Sequence, residues 1–200
     1  MRKIVAVSLV FSAAMLSVLF SADDSSANPI VSAIDSSGTR TLILLRHAKS
    51  DKSNMSIPDI SRPLEESGRK EAEEMGEILA KEIAHVDLIV SSPSLRTRQT
   101  LEIICKKIGY AYDAVQWDSS LYACSGDHLL ARIRQAENVY KTVMFVGHNP
   151  SITDAANALQ TKENIIEVKT CGVVTIDFVD CNWADVSREK GNLRFYIKPN

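Results

Sequence analysis

Three apolar runs in this chain each stop abruptly at polar, chemistry-bearing residues. Leu42-Ile43-Leu44-Leu45 ends in Arg46-His47. Leu88-Ile89-Val90 ends in Ser91-Ser92-Pro93-Ser94, with Arg96 two residues on. Val143-Met144-Phe145-Val146 ends in Gly147-His148. Short runs with no polar alternation are the mark of strands buried on both faces, the usual situation in a parallel sheet. Parallel strands bring their carboxyl ends to one edge, where open α/β sheets place ligands. Two arginines and two histidines are therefore expected to converge there.

The segments between these runs carry a helical period. Between residues 65 and 83, Ala72, Met75, Gly76, Leu79 and Ile83 share one face, and charged residues fill the other. Ser94 is suited to cap a second helix whose inner face is Leu101, Ile104, Cys105 and Ile108, and which Gly109 ends. A short edge strand is expected over 114–117 and a helix over 128–136, with Leu129, Ile133 and Ala136 facing inward. Another helix is expected over 152–159. The β-rich runs 173–178 and 192–197 add strands at a sheet edge, one of them antiparallel. This alternation predicts an α/β three-layer sandwich, a mostly parallel sheet flanked by helices.

The first segment reads differently. Arg2 and Lys3 precede an uncharged, largely apolar run from Ile4 to Phe20, and Ser25-Ser26-Ala27 offers small residues for cleavage. Residues 1–27 are expected to be a secretory signal peptide, with a retained membrane anchor as the alternative. Residues 28–39 read as a polar, disordered lead-in, and 40–200 as one domain. The expectation is an exported protein, periplasmic or secreted, with no membrane contact after cleavage. Cys105, Cys124, Cys171 and Cys181 lack CxxC spacing, which disfavours zinc or thioredoxin chemistry. Export permits a Cys171–Cys181 disulfide, and buried free thiols are the equal alternative. A formal net charge of -2 leaves no overall basic field for nucleic acid. The cationic character is local and fits a small anion.

Arg binds phosphate oxygens in bidentate fashion and never loses its proton. A neutral imidazole can attack phosphorus and become phosphorylated. A second, protonated imidazole can stabilise charge on the equatorial oxygens. His47, Arg46, Arg96 and His148 suit these roles, with no metal or other cofactor required. Arg96 falls in the first turn of its helix, where an anion is favoured and a cation is not. Arg98 suits a solvent-facing role. Metal binding by His47 and His148 is the competing reading, and two fixed cations nearby oppose it.

Four motifs occur in order: Arg46-His47-Ala48-Lys49-Ser50, Arg62-Pro63-Leu64, Ser91-Ser92-Pro93-Ser94-Leu95-Arg96-Thr97-Arg98-Gln99-Thr100 and Val146-Gly147-His148-Asn149-Pro150. Together they resemble the histidine phosphatase superfamily, and within it the SixA type of phosphohistidine phosphatase. The resemblance implies a phosphoglycerate mutase-like fold with His47 as the phosphorylated nucleophile. It makes Arg46, Arg96 and His148 the phosphate pocket, Ser53 a polar phosphate contact, and the backbone N–H of Asn149 a helper.

The chain departs from the family pattern in two places. Glu65 follows Arg62-Pro63-Leu64 where relatives often carry a capping Thr or Ser. No carboxylate occupies the position after the third strand where many branches hold a general acid. Asp127 is expected to cap the following helix instead, and Asp51 and Glu65 are alternative acids. Acid catalysis is worth roughly 10²–10⁴-fold for a poor leaving group and far less for an imidazole or aryl group. The expected partner is therefore a phosphoprotein, through phosphohistidine, or a phosphorylated small molecule. A non-catalytic phospho-ligand binding module is the reading from another class.

Overall fold

The computed structural model describes residues 38–199. The expected signal segment, and the lead-in up to residue 37, lie outside the described residues. Six strands form one sheet: β1 (Arg40–Arg46), β2 (Leu88–Ser91), β3 (Gln116–Trp117), β4 (Thr142–Gly147), β5 (Val173–Phe178) and β6 (Asn192–Ile197). Their spatial order is β3-β2-β4-β1-β5-β6. The pairs β2–β3, β2–β4 and β1–β4 are parallel, while β5 runs antiparallel to both of its neighbours. Five strands thus share one direction, as the sequence predicts, and β5 is the single reversed strand.

The pleat sorts the apolar runs onto two faces. Ile43, Leu45, Ile89, Met144 and Val146 face one core, covered by α1 (Glu66–Glu82) and α2 (Leu95–Ile108). Leu42, Leu44, Val90, Val143 and Phe145 face the other, covered by α3 (Gly126–Ile133) and α4 (Ser151–Leu159). The result is three layers. It also separates the cysteines. Cys105 and Cys171 belong to the first core, Cys124 and Cys181 pack against the second, and all four are free thiols. The sheet stands between Cys171 and Cys181, so a disulfide joining them is excluded.

Local signals place most boundaries. Ser94 caps α2 by accepting the Thr97 N–H, and Gly109 ends it at φ +71°. Glu65 sits at the α1 N-cap without a side-chain cap bond. One expectation fails: Asp127 does not cap α3. Ser125 does, accepting the His128 N–H, while Asp127 lies inside the first turn and pairs with Arg188 at 2.6 Å. A serine oxygen one position outside the helix reaches that N–H, which a carboxylate already within the turn does not. The helix also ends at Ile133, before the expected Ala136.

Ladder register then sets the working edge. Arg46 pairs with Gly147, and Ser91 with Val146. One step beyond, the His47 N–H donates to Gly147 O and the Ser92 N–H to Val146 O, each at 3.1 Å. The chain leaves β1 and β2 towards the α1/α2 face and leaves the intervening β4 towards the α3/α4 face. A crevice opens where neighbouring strands diverge in this way.

Candidate active site

A cavity of about 630 Å³ lies in that crevice, and Arg46, His47, Arg96 and His148 all line it. The four residues separated by up to 102 positions in sequence share one pocket. His47, Arg96 and His148 are 9%, 5% and 6% exposed, so their protonation is set by the protein and not by bulk water. The two imidazole centroids are 5.0 Å apart.

Hydrogen bonds assign the tautomers. His47 Nδ1 lies 2.8 Å from the Ala48 carbonyl, which can only accept, so Nδ1 carries the proton. Nε2 is left with a lone pair directed into the pocket, where Arg96 Nε donates to it at 3.1 Å. Burial, outweighing the Ala48 bond and joined by His148 and the two arginines, pushes the His47 pKa down to about 3. The imidazole is neutral and nucleophilic throughout the physiological range.

His148 is held in the opposite sense. Its Nδ1 accepts from an Arg96 terminal nitrogen at 3.2 Å, and its Nε2 therefore donates to Ser92 Oγ at 2.9 Å. Burial first, then Arg96, lowers its pKa to about 4. The sequence reading called for a protonated His148. That form belongs to the step in which charge develops on the phosphoryl oxygens; in the observed arrangement Arg96 occupies the position that proton would take.

Arg46 donates to Glu167 Oε1 at 2.8 Å and to the Val168 carbonyl at 2.7 Å, and its Nε is buried without a partner. Such an orphaned cationic donor suits an anion in the cavity. Arg98, expected to face solvent, is half-buried and stacks over the Trp117 ring at 4.2 Å. Asn149 lines the cavity, but its side chain is committed to the Val168 carbonyl and the Thr153 hydroxyl. Its backbone N–H is the group it can offer. Ser53 is not among the lining residues. It is exposed, with its N–H on Asp51 Oδ1, and Ser50 and Lys52 line that part of the wall.

The residue that sequence reasoning missed is Asp59. It opens a single 3₁₀ turn (Asp59–Ser61) in the loop between β1 and α1. Arg96 binds it twice, donating to its carbonyl at 2.6 Å and to Oδ2 at 2.9 Å. The Tyr122 hydroxyl donates to Oδ2 at 2.7 Å, and Arg62 pairs with Oδ1. Burial would raise the Asp59 pKa, but Tyr122, Arg96 and Arg62 together lower it. Asp59 is thus an ionised carboxylate on the wall of the cavity. Its one legible signal was the spacing of three residues ahead of Arg62. Of the acids considered from sequence, Asp51 and Asp127 do not line the cavity, and Glu65 is tied to Lys49 and Ser67.

Residues 42–121 match the histidine phosphatase superfamily, branch 1. This chain belongs to that superfamily. An uncharacterized chloroplastic protein of Arabidopsis thaliana is 30% identical over 155 residues, covering 74% of this chain and 70% of its own. An uncharacterized Mycobacterium tuberculosis protein is 30% identical over 71% of this chain and 91% of its own. Among solved structures, one named as the phosphohistidine phosphatase SixA from Nakamurella multipartitia superposes with a TM-score of 0.71 at 26% identity. It covers 82% of this chain and 98% of that one. A second SixA structure, from Agrobacterium tumefaciens, gives 0.67 at 25% identity over 82% and 100% of the two chains.

Proposed function

We propose that this phosphatase works without a metal, through a phosphohistidine on His47, on substrates with good leaving groups such as phosphohistidine itself. The observation that carries the reading is the Nδ1–H tautomer of His47, locked by the Ala48 carbonyl with Nε2 facing the Arg96 guanidinium. For reaction, the Arg96 Nε bond to Nε2 opens and the guanidinium turns its N–H groups onto phosphoryl oxygens. The Nε2 lone pair attacks phosphorus. The bond to the leaving group breaks and its electron pair departs with that group. Positive charge forms on the imidazole ring, and the Nδ1–H bond to Ala48 stabilises it. Arg46 and Arg96 neutralise the equatorial oxygens. The incoming phosphoryl charge favours protonation of His148, which turns its Nδ1 into a donor.

One feature supports a good leaving group and another supports the absence of a metal. The carboxylate in the pocket is held ionised by arginines, so it does not supply a proton. Fixed cations from Arg46, Arg62 and Arg96 also oppose a divalent ion, and chelators are expected to leave turnover unchanged. The test is trapping with p-nitrophenyl phosphate followed by alkaline quench, since phosphohistidine survives base and is lost in acid. Wild-type protein should carry about one phosphate per chain and His47→Ala none. Absence of label on the wild type would overturn the reading and favour a binding module. A panel of phosphohistidine peptide, aryl, alkyl and sugar phosphates should rank the alkyl esters last.

A second reading is favoured by the rim, where Lys52 adds positive charge beyond the central four, while Lys49 and Arg62 are paired with Glu65 and Asp59. Together with the signal-like residues 1–27, this supports an exported phosphatase for small phosphorylated metabolites. Preference for sugar phosphates over the peptide would select it. Recovery of a shortened chain from an extracytoplasmic fraction would test export.

A further inference from the structure

We propose that Asp59 is the general base that activates water in the second half of the reaction, the hydrolysis of phosphorylated His47. The inference rests on the phosphohistidine reading above and assigns the step that the four motif residues leave without a proton acceptor.

The placement comes from a single guanidinium. Arg96 touches the attacked nitrogen, His47 Nε2, through Nε and touches Asp59 Oδ2 through a terminal nitrogen. Oδ2 and Nε2 therefore sit on two donors of one guanidinium, in the cavity that both residues line. Other acids are poorly placed. Glu65 is engaged by Lys49 and Ser67, and Glu167 sits behind Arg46. Asp59 also has what a base that turns over requires, a route to solvent, being 51% exposed at its side chain. The histidines have no such route.

Chemistry favours a base over an acid here. The contacts of Arg62, Arg96 and Tyr122 keep Asp59 ionised, ready to accept a proton. When a phosphoryl group takes over Arg96, Asp59 loses part of that stabilisation and gains a negative neighbour, so it becomes more basic. A water oxygen then attacks phosphorus while one of its protons passes to Asp59. The P–N bond breaks and its electron pair returns to Nε2, leaving neutral His47 with its proton still on Nδ1. Inorganic phosphate departs, and Asp59 releases its proton to solvent.

The experiment separates the two half-reactions with p-nitrophenyl phosphate. In Asp59→Asn the nitrophenol burst should slow far less than turnover. Steady-state turnover should fall by about 10²–10⁴-fold, the usual worth of a general base. Alkaline quench should find the variant stoichiometrically phosphorylated on His47. Asp59→Ala should regain turnover with added formate, a rescue that a purely structural role would not produce. Unchanged turnover with a lower KM would overturn the proposal, because Asp59 would then only compete with phosphate for Arg96. A burst slowed as much as turnover would also overturn it, placing Asp59 in the transfer step. Wild-type protein that never carries phosphate would instead defeat the phosphohistidine reading itself.

Discussion

The pocket has a floor and a wall that are built on different physics. The floor consists of strand ends: His47 after β1, Ser92 after β2, His148 after β4. Its groups are buried, and backbone or hydroxyl partners assign each proton to one nitrogen. The wall is the loop between β1 and α1, carrying Lys52, Asp59 and Arg62. Lys52 and Asp59 are exposed, Arg62 is half-buried, and ion pairs join Asp59 to Arg62 and to Arg96. The floor can hold a nucleophile in one protonation state because water is kept away. The wall can exchange a proton and yield its arginine to an anion because water is close. The proposed phosphohistidine route needs both behaviours in one cavity.

The largest expected effect tests whether the floor is truly held neutral. His47 and His148 take up protons at about 3 and about 4 when folded, against an ordinary value of 6.5. The unfolded chain therefore binds more protons between those limits. Stability should be intact above about pH 6.5 and fall as pH drops through the window, by at most about 1.4 kcal/mol per unit for each histidine. Denaturant melts at several pH values would show this, and His47→Gln should flatten the slope. The burst rate should meanwhile hold between pH 7 and 5 once substrate ionisation is divided out. A burst that titrates near 6.5 would break the distinction between floor and wall.

The join between floor and wall is the next test. Lys49 leads from His47 into the loop, and its carbonyl lies where a Cβ on Gly68 would sit, 2.1 Å away. The first turn of α1 packs there because Gly68 has no side chain. Gly68→Ala should cost about 1–3 kcal/mol of stability by overpacking, read from the denaturation midpoint, and should displace the loop. A smaller effect is expected from Ser92→Ala, which frees the His148 Nε2 proton and the ring orientation. Loss of one buried hydrogen bond predicts up to about ten-fold in kcat/KM. The smallest concerns Glu167, whose carboxylate Lys169 and Arg46 hold at about 2. This is an exposed pair on the rim, so Glu167→Gln should shift KM by less than about five-fold, and salt should erase the difference.

Much of the fold was legible because it rests on repeating local signals. Ala72, Met75 and Leu79 recur at helical spacing, and all are buried in the observed core. Val173–Phe178 and Asn192–Ile197 are strands with the boundaries read from composition. Asp127 shows the limit: an acid near a helix start looks like a cap, and only the backbone reveals that Ser125 stands one step further out.

Residue order alone established alternating strands and helices, a shared edge for parallel strand ends, and a cationic pair of histidine-bearing turns at that edge. These follow from side-chain periodicity and from the cost of burying charge, which act along the chain. Tertiary structure decided the proton position on His148, the place of Ser92 and Tyr122, and the presence of Asp59 beside Arg96. Those depend on contacts between loops 37 to 63 residues apart, such as Asp59 with Arg96 and with Tyr122. No period marks such pairs. They exist only once the sheet has brought its loops together.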